Sequence, residues 1–127
     1  MSIVRVACGL LLIVPAAAAA QSMNAERFHQ RSSALMAKGP MALFSRGEIK
    51  ALMSEVQNAG RAARALRLAD AAAAAGRPAR SCPPAKQSME SSEFMRRLGA
   101  IPLAERSTID MTEAMIRISA ARFPCPR

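Results

Sequence analysis

Residues 45–75, SRGEIKALMSEVQNAGRAARALRLADAAAAA, decide the fold. Ser45, with Glu48 three residues on, reads as a capping box in which each side chain satisfies the other residue's open backbone N–H. Phe44, just ahead of that cap, stands at the spacing of a hydrophobic staple to Ile49. Beyond this start, Ile49, Leu52, Met53, Val56, Ala63 and Leu66 recur on one broad apolar stripe, and Gly76-Arg77-Pro78 supplies the stop. The spacing predicts one helix of roughly 30 residues and 45 Å, with Gly60 as the place where it would bend or split. The run Ala71 to Ala75 simply continues it.

The flanks repeat the helical signal. Upstream, Asn24 is a good N-cap, Met23 and Phe28 have the staple spacing, Leu35 extends the Phe28 face, and Gly39-Pro40 ends the helix. Downstream, residues 76–88, GRPARSCPPAKQS, form the clearest loop. A short helix then carries Phe94, Met95 and Leu98 and stops at Gly99. Pro102 starts a new turn leading into a last helix through about Arg122, whose inner face the spacing assigns to Ile109, Thr112, Met115, Ile116 and Phe123, with Ser119 its small polar position. Pro124-Cys125-Pro126 terminates it. No stretch alternates β-branched and polar residues as a strand would, and past the N-terminal apolar run Val occurs only at Val56. The expected fold is therefore all-α, a small helical domain of about four helices closed by one disulfide.

The cysteines supply that closure. The first twenty residues, MSIVRVACGLLLIVPAAAAA, combine Arg5, an apolar run from Val6 to Val14 and small residues up to Ala20. This is the pattern of a cleaved secretory signal, too short for a permanent membrane span, and it predicts a periplasmic or secreted protein beginning near Gln21. Cys8 leaves with the signal; it follows Arg5 too closely to serve as a lipid anchor. Residues 21–127 then make a single helical domain, since they are enough for one core and too few for two. They keep Cys82 and Cys125, an even pair in an oxidising compartment, which is expected to close a loop of about 44 residues with roughly 4 kcal/mol of chain-entropy stabilisation. Without Trp or Tyr, the core must be built from Ala, Leu, Ile, Met and four Phe.

No arrangement of residues announces catalysis, a metal or a cofactor. The single histidine, His29, reads as a surface residue, and the two remaining cysteines lack C-x-x-C spacing. No C-x-x-C-H haem motif and no phosphate-binding glycine pattern occurs. Glu90, Glu93, Glu105, Asp110 and Glu113 read as salt-bridge partners for a surface rich in arginine. The expectation is a protein that is not an enzyme. Its charge is the better guide: 18 Lys and Arg against 9 Asp and Glu, a formal +9 of which the signal removes only Arg5. Arg46, Lys50, Arg61, Arg64 and Arg67 share an arc of about 120° beside the apolar stripe of the long helix. This cationic edge is the expected partner-facing feature. It suits an acidic protein or, as the alternative, anionic lipid or cell-wall polymer met by an envelope-associated structural protein; nucleic acid does not fit an exported chain.

From Cys82 to Cys125 the order is Cys82-Pro83-Pro84, then Phe94-Met95 on a short helix, Gly99-Ala100-Ile101-Pro102, a further helix, and Phe123-Pro124-Cys125. That order resembles the C-terminal portion of the periplasmic Rap/Tai immunity proteins, which guard bacteria against type VI secretion effectors. The resemblance implies a binding role: a rigid helical module, often a homodimer, that occludes a toxic enzyme's cleft without chemistry of its own. Its arginines would then meet effector carboxylates.

Overall fold

In the computed structural model, residues 22–73 and 79–126 are described. The proposed signal, residues 1–20, and the Gly76-Arg77-Pro78 stop lie outside them. The chain forms α1 (Ala25–Ala37), a 3₁₀ turn (Gly39–Phe44), α2 (Arg46–Ala73), α3 (Ser91–Ala100), the single-turn α4 (Leu103–Arg106) and α5 (Met111–Arg122). Among the described residues there is no strand, and four of the helices have seven residues or more, so the fold is the all-α one expected.

Asn24 begins α1 as its composition predicts: the side-chain oxygen accepts from the N–H groups of Glu26 at 3.0 Å and Arg27 at 3.1 Å. The same amide reaches further. Its Nδ2 donates to the carbonyls of Ser107 at 2.9 Å and Ile109 at 3.2 Å, while Ala25 N donates to Ile109 O and Met111 N donates to Met23 O. The start of α1 is thereby tied to the start of α5. At the other end of α1, Gly39 takes φ +53°, the left-handed conformation that ends a helix and that a side chain rarely adopts.

The start of α2 falls where the sequence places it, but the capping side chains are used otherwise. Both Glu48 carboxylate oxygens accept from Arg31 of α1, at 2.8 and 2.6 Å, and Ser45 Oγ accepts from Lys38 Nζ at 3.1 Å. An ion pair between two helices wins over a local box because it joins elements that the box would leave apart. Nor does Phe44 staple Ile49; it is 83% exposed. α2 runs through Gly60 without interruption over 28 residues. A Cβ on Gly60 would lie 3.6 Å from Met115 Cε, which places this glycine at the crossing of α2 and α5. Leu52 and Ala59 are buried there, whereas Met53, Leu66 and Leu68 are about half exposed.

The turn expected to start at Pro102 is the single-turn α4, and the helix it leads into is α5, ending at Arg122. Ser107 Oγ and Thr108 Oγ1 accept the role of closing α4 by donating to the carbonyls of Leu103 and Glu105, each at 2.8 Å. Asp110 then caps α5, its carboxylate accepting from Glu113 N at 2.8 Å. The new start also turns the helix: Met111, Ala114 and Ile118 are its buried positions, and Ile109, Thr112, Met115, Ile116 and Phe123 are half-buried. α5 has no solvent stripe from Met111 to Ala120 because α1, α2 and α3 all pack around it. Phe28 of α1 and Phe94 of α3 meet edge to face beside it, with ring centroids 6.0 Å apart.

Cys82 and Cys125 are bonded, with Cα atoms 4.9 Å apart. Around the bridge, Cys82 N donates to Phe123 O at 2.9 Å and Ser81 is buried against Ser119. Arg80 grips Glu113 with both terminal nitrogens, at 3.0 and 3.3 Å. A loop with no helix of its own over residues 79–90 is thus fastened along α5.

Candidate interaction surface

The five cations expected to face a partner all lie on α2, in two groups. Arg46 and Lys50 occupy its first turns; Arg61, Arg64 and Arg67 begin about 16 Å further along, eleven residues at 1.5 Å each. Arg46, Lys50, Arg61 and Arg64 are exposed and Arg67 is half-buried. Between the groups stand the exposed Met53 and Gln57. Arg61 donates to Asn58 one turn back. Among the described residues, none of the five pairs with a carboxylate.

The carboxylates are engaged by other arginines. Hydrogen bonding from Arg31 holds Glu48 below the ordinary glutamate range, and Arg97 does the same for Glu93. Glu113 is lowered first by Arg80 and then by Arg117. Arg117 also reaches Glu105, so the acids read from sequence as salt-bridge partners serve largely as such; Asp110 is instead a helix cap, and Glu90 precedes α3 without a side-chain capping bond. Arg97, Glu105 and Arg117 border an open groove of about 300 Å³ beside Ile101, Pro102 and Ile118, but their charges are spent on neighbouring residues.

His29 is half-buried rather than a surface residue. It sits against α3 where Gly99 leaves room, since a Cβ there would lie 3.2 Å from His29 Nε2. Among the described residues no three His, Cys, Asp or Glu side chains converge in a metal-holding group.

Two features escape the sequence reading. Arg106 is buried, and its Nη1 donates to the carbonyls of Ile101 at 2.9 Å, Gly99 at 3.1 Å and Leu98 at 3.4 Å, while its Nε donates to Glu26. One guanidinium therefore closes the C-terminus of α3 and ties it to α1. The second feature is the 3₁₀ turn, in which none of six residues is buried although Met41, Leu43 and Phe44 are large and apolar. The only hint is the contiguous apolar tetrad Met41-Ala42-Leu43-Phe44 immediately after Gly39-Pro40, too short for a helix stripe.

The exposed molecular surface thus offers a cationic helix face bearing Leu68 and an apolar turn, and among the described residues every buried side-chain nitrogen and oxygen has a hydrogen-bond partner within the chain. No protein-family model, curated protein or solved structure matches the chain.

Proposed function

We propose that this is an exported, non-catalytic helical protein that binds a protein partner through the second half of α2. The observation that carries the reading is Leu68, 52% exposed, which helical spacing places between the exposed Arg61 and Arg64 on one face of α2. An isolated surface leucine is ordinary, but here two exposed arginines, a residue type enriched among the hot spots of protein interfaces, flank it on one helix face. The arginines select an acidic partner surface and raise its association rate. The disulfide is compatible with an oxidising, non-cytoplasmic location, and no described helix is long and apolar enough to cross a membrane. Together with the N-terminal apolar run, these support a periplasmic or secreted home. The resemblance of residues 82–125 to Rap/Tai immunity proteins supports an inhibitor of a secreted effector as the role, acting alone or as a homodimer.

The test is capture from the periplasm of the native host at physiological salt, with the wild-type protein and an Arg61→Ala/Arg64→Ala/Leu68→Ser variant side by side. One stoichiometric protein retained by the wild type and lost from the equally folded variant is the expected result. Equal retention by both would remove α2 as the binding face; heterogeneous anionic material alone would remove the protein partner.

A further inference from the structure

We infer that the 3₁₀ turn between α1 and α2 is a second, separate contact site, which seats the molecule on an anionic lipid bilayer. Met41, Leu43 and Phe44 are 63%, 69% and 83% exposed, three large apolar side chains within four residues. None contributes to the core. Folding leaves their surface in water, and that cost is recovered only when something covers it.

Charge decides what that is. From Arg27 to Gly47 there is no Asp or Glu, and from Arg27 to Ser54 five Lys and Arg face the single carboxylate of Glu48, which Arg31 engages. Three of those cations lie around the apolar turn. Lys38 is held at its base by the bond from Nζ to Ser45 Oγ, Arg46 lines a shallow depression with Leu43, Phe44 and Gly47, and Lys50 follows one helical turn later. A second copy of the chain would oppose this cationic ring with its own, so self-association is electrostatically disfavoured. A bilayer containing anionic lipid complements both parts. The apolar side chains enter the boundary between headgroups and acyl chains, and the cations remain at phosphate level. The short turn needs no long amphipathic helix, because the Lys38–Ser45 bond and the Arg31–Glu48 ion pair fix its base to α1 and α2.

The probe is a set of large unilamellar vesicles, phosphatidylcholine alone or with one-third phosphatidylglycerol, floated with the oxidised protein purified after export. All variants share one N-terminus, so differences between them report the substituted residues alone. The wild type is expected to float with the phosphatidylglycerol vesicles and not with phosphatidylcholine. Leu43→Ser/Phe44→Ser should weaken that partitioning about tenfold at an unchanged melting temperature, because two exposed apolar groups are lost from the insertion and none from the core. Lys38→Gln/Arg46→Gln/Lys50→Gln should abolish the preference for anionic vesicles. Failure of the folded wild type to float would overturn the inference. So would equal flotation of the Leu43/Phe44 variant, which would assign adsorption to the arginines further along α2, or a wild-type dimer that this variant loses. The protein-partner reading stands or falls separately, on Arg61, Arg64 and Leu68.

Discussion

Arg106 sits where an arginine is costly to place, 8% exposed and surrounded by backbone. It is tolerated because the carbonyls at the end of α3 lack their usual i+4 donors: Pro102 has no N–H to offer, and of the three only Leu98 O has a backbone donor, Ile101 N at 3.2 Å. Three carbonyls accept from one nitrogen, and the Glu26 carboxylate, lowered chiefly by this same guanidinium, balances the charge. Arg106→Ala should therefore remove the C-cap and the link to α1 together. The expected loss is about 3 kcal/mol, read as a fall in the urea midpoint of the oxidised protein. Arg106→Lys should recover less than half of that loss, because an ammonium lacks the fork that serves Glu26 and the carbonyls at once. A midpoint unchanged in the alanine variant would mean that water caps α3 equally well. In the sequence Arg106 looks like any other arginine of a basic surface. Its role depends on a helix terminus several residues upstream, and no local pattern marks that relation.

At the scale of elements, α2 is legible in where it starts and in Leu52, Val56 and Ala63 of its stripe, whereas Met53 and Leu66 are about half exposed. What the sequence could not resolve was the part played by Gly60. Glycine inside a helix costs conformational freedom, and here it accompanies no break. It lies at the crossing with α5, with room for a methyl group at 3.6 Å from Met115 Cε, an ordinary contact distance. Gly60→Ala should accordingly stabilise the protein by about 0.5–1 kcal/mol, a rise in the urea midpoint. Destabilisation instead would show that α5 needs the closer approach that only glycine permits. The reading of α5 failed for a different reason. A helix packed against three others, with even Glu113 and Arg117 only about a third exposed, shows no sharp stripe to reveal its orientation, and the stop at Ser107-Thr108 and the restart at Asp110 are written in hydroxyl and carboxylate side chains that bond their own backbone. The exposed 3₁₀ turn was missed because apolar residues are read as core by default; its cations, not its hydropathy, distinguish it as surface.

For the whole molecule, stability is shared between a small core and covalent and ionic ties across it. The Cys82–Cys125 bond spans 43 positions of sequence, and removing it as Cys82→Ser/Cys125→Ser should cost up to about 4 kcal/mol in the chain-entropy account, lowering the melting temperature by well over 10 °C. A change of only a few degrees would show that Arg80–Glu113 and the Cys82–Phe123 backbone bond already hold the loop. The ionic ties set the response to acid. Glu26, Glu48, Glu93 and Glu113 are all held below the ordinary glutamate value of 4.5 by arginine hydrogen bonds. A carboxyl with a lowered folded value binds a proton more weakly when folded than when unfolded. Its contribution is complete above the unfolded value and disappears as pH falls through the folded one. Stability should hence be level from pH 7 to about pH 5 and decline below about 4.5. Solvent screens the other three pairs, whose side chains are between a quarter and about half exposed, so the most enclosed, Glu26 with Arg106 at 14% and 10%, should dominate the decline. Urea midpoints measured across this range should show it, and Glu26→Gln should lower the neutral plateau while flattening the acid limb. A midpoint already falling between pH 7 and 5, or an acid limb unchanged in Glu26→Gln, would place the controlling protonation elsewhere than in the contact between α1 and Arg106.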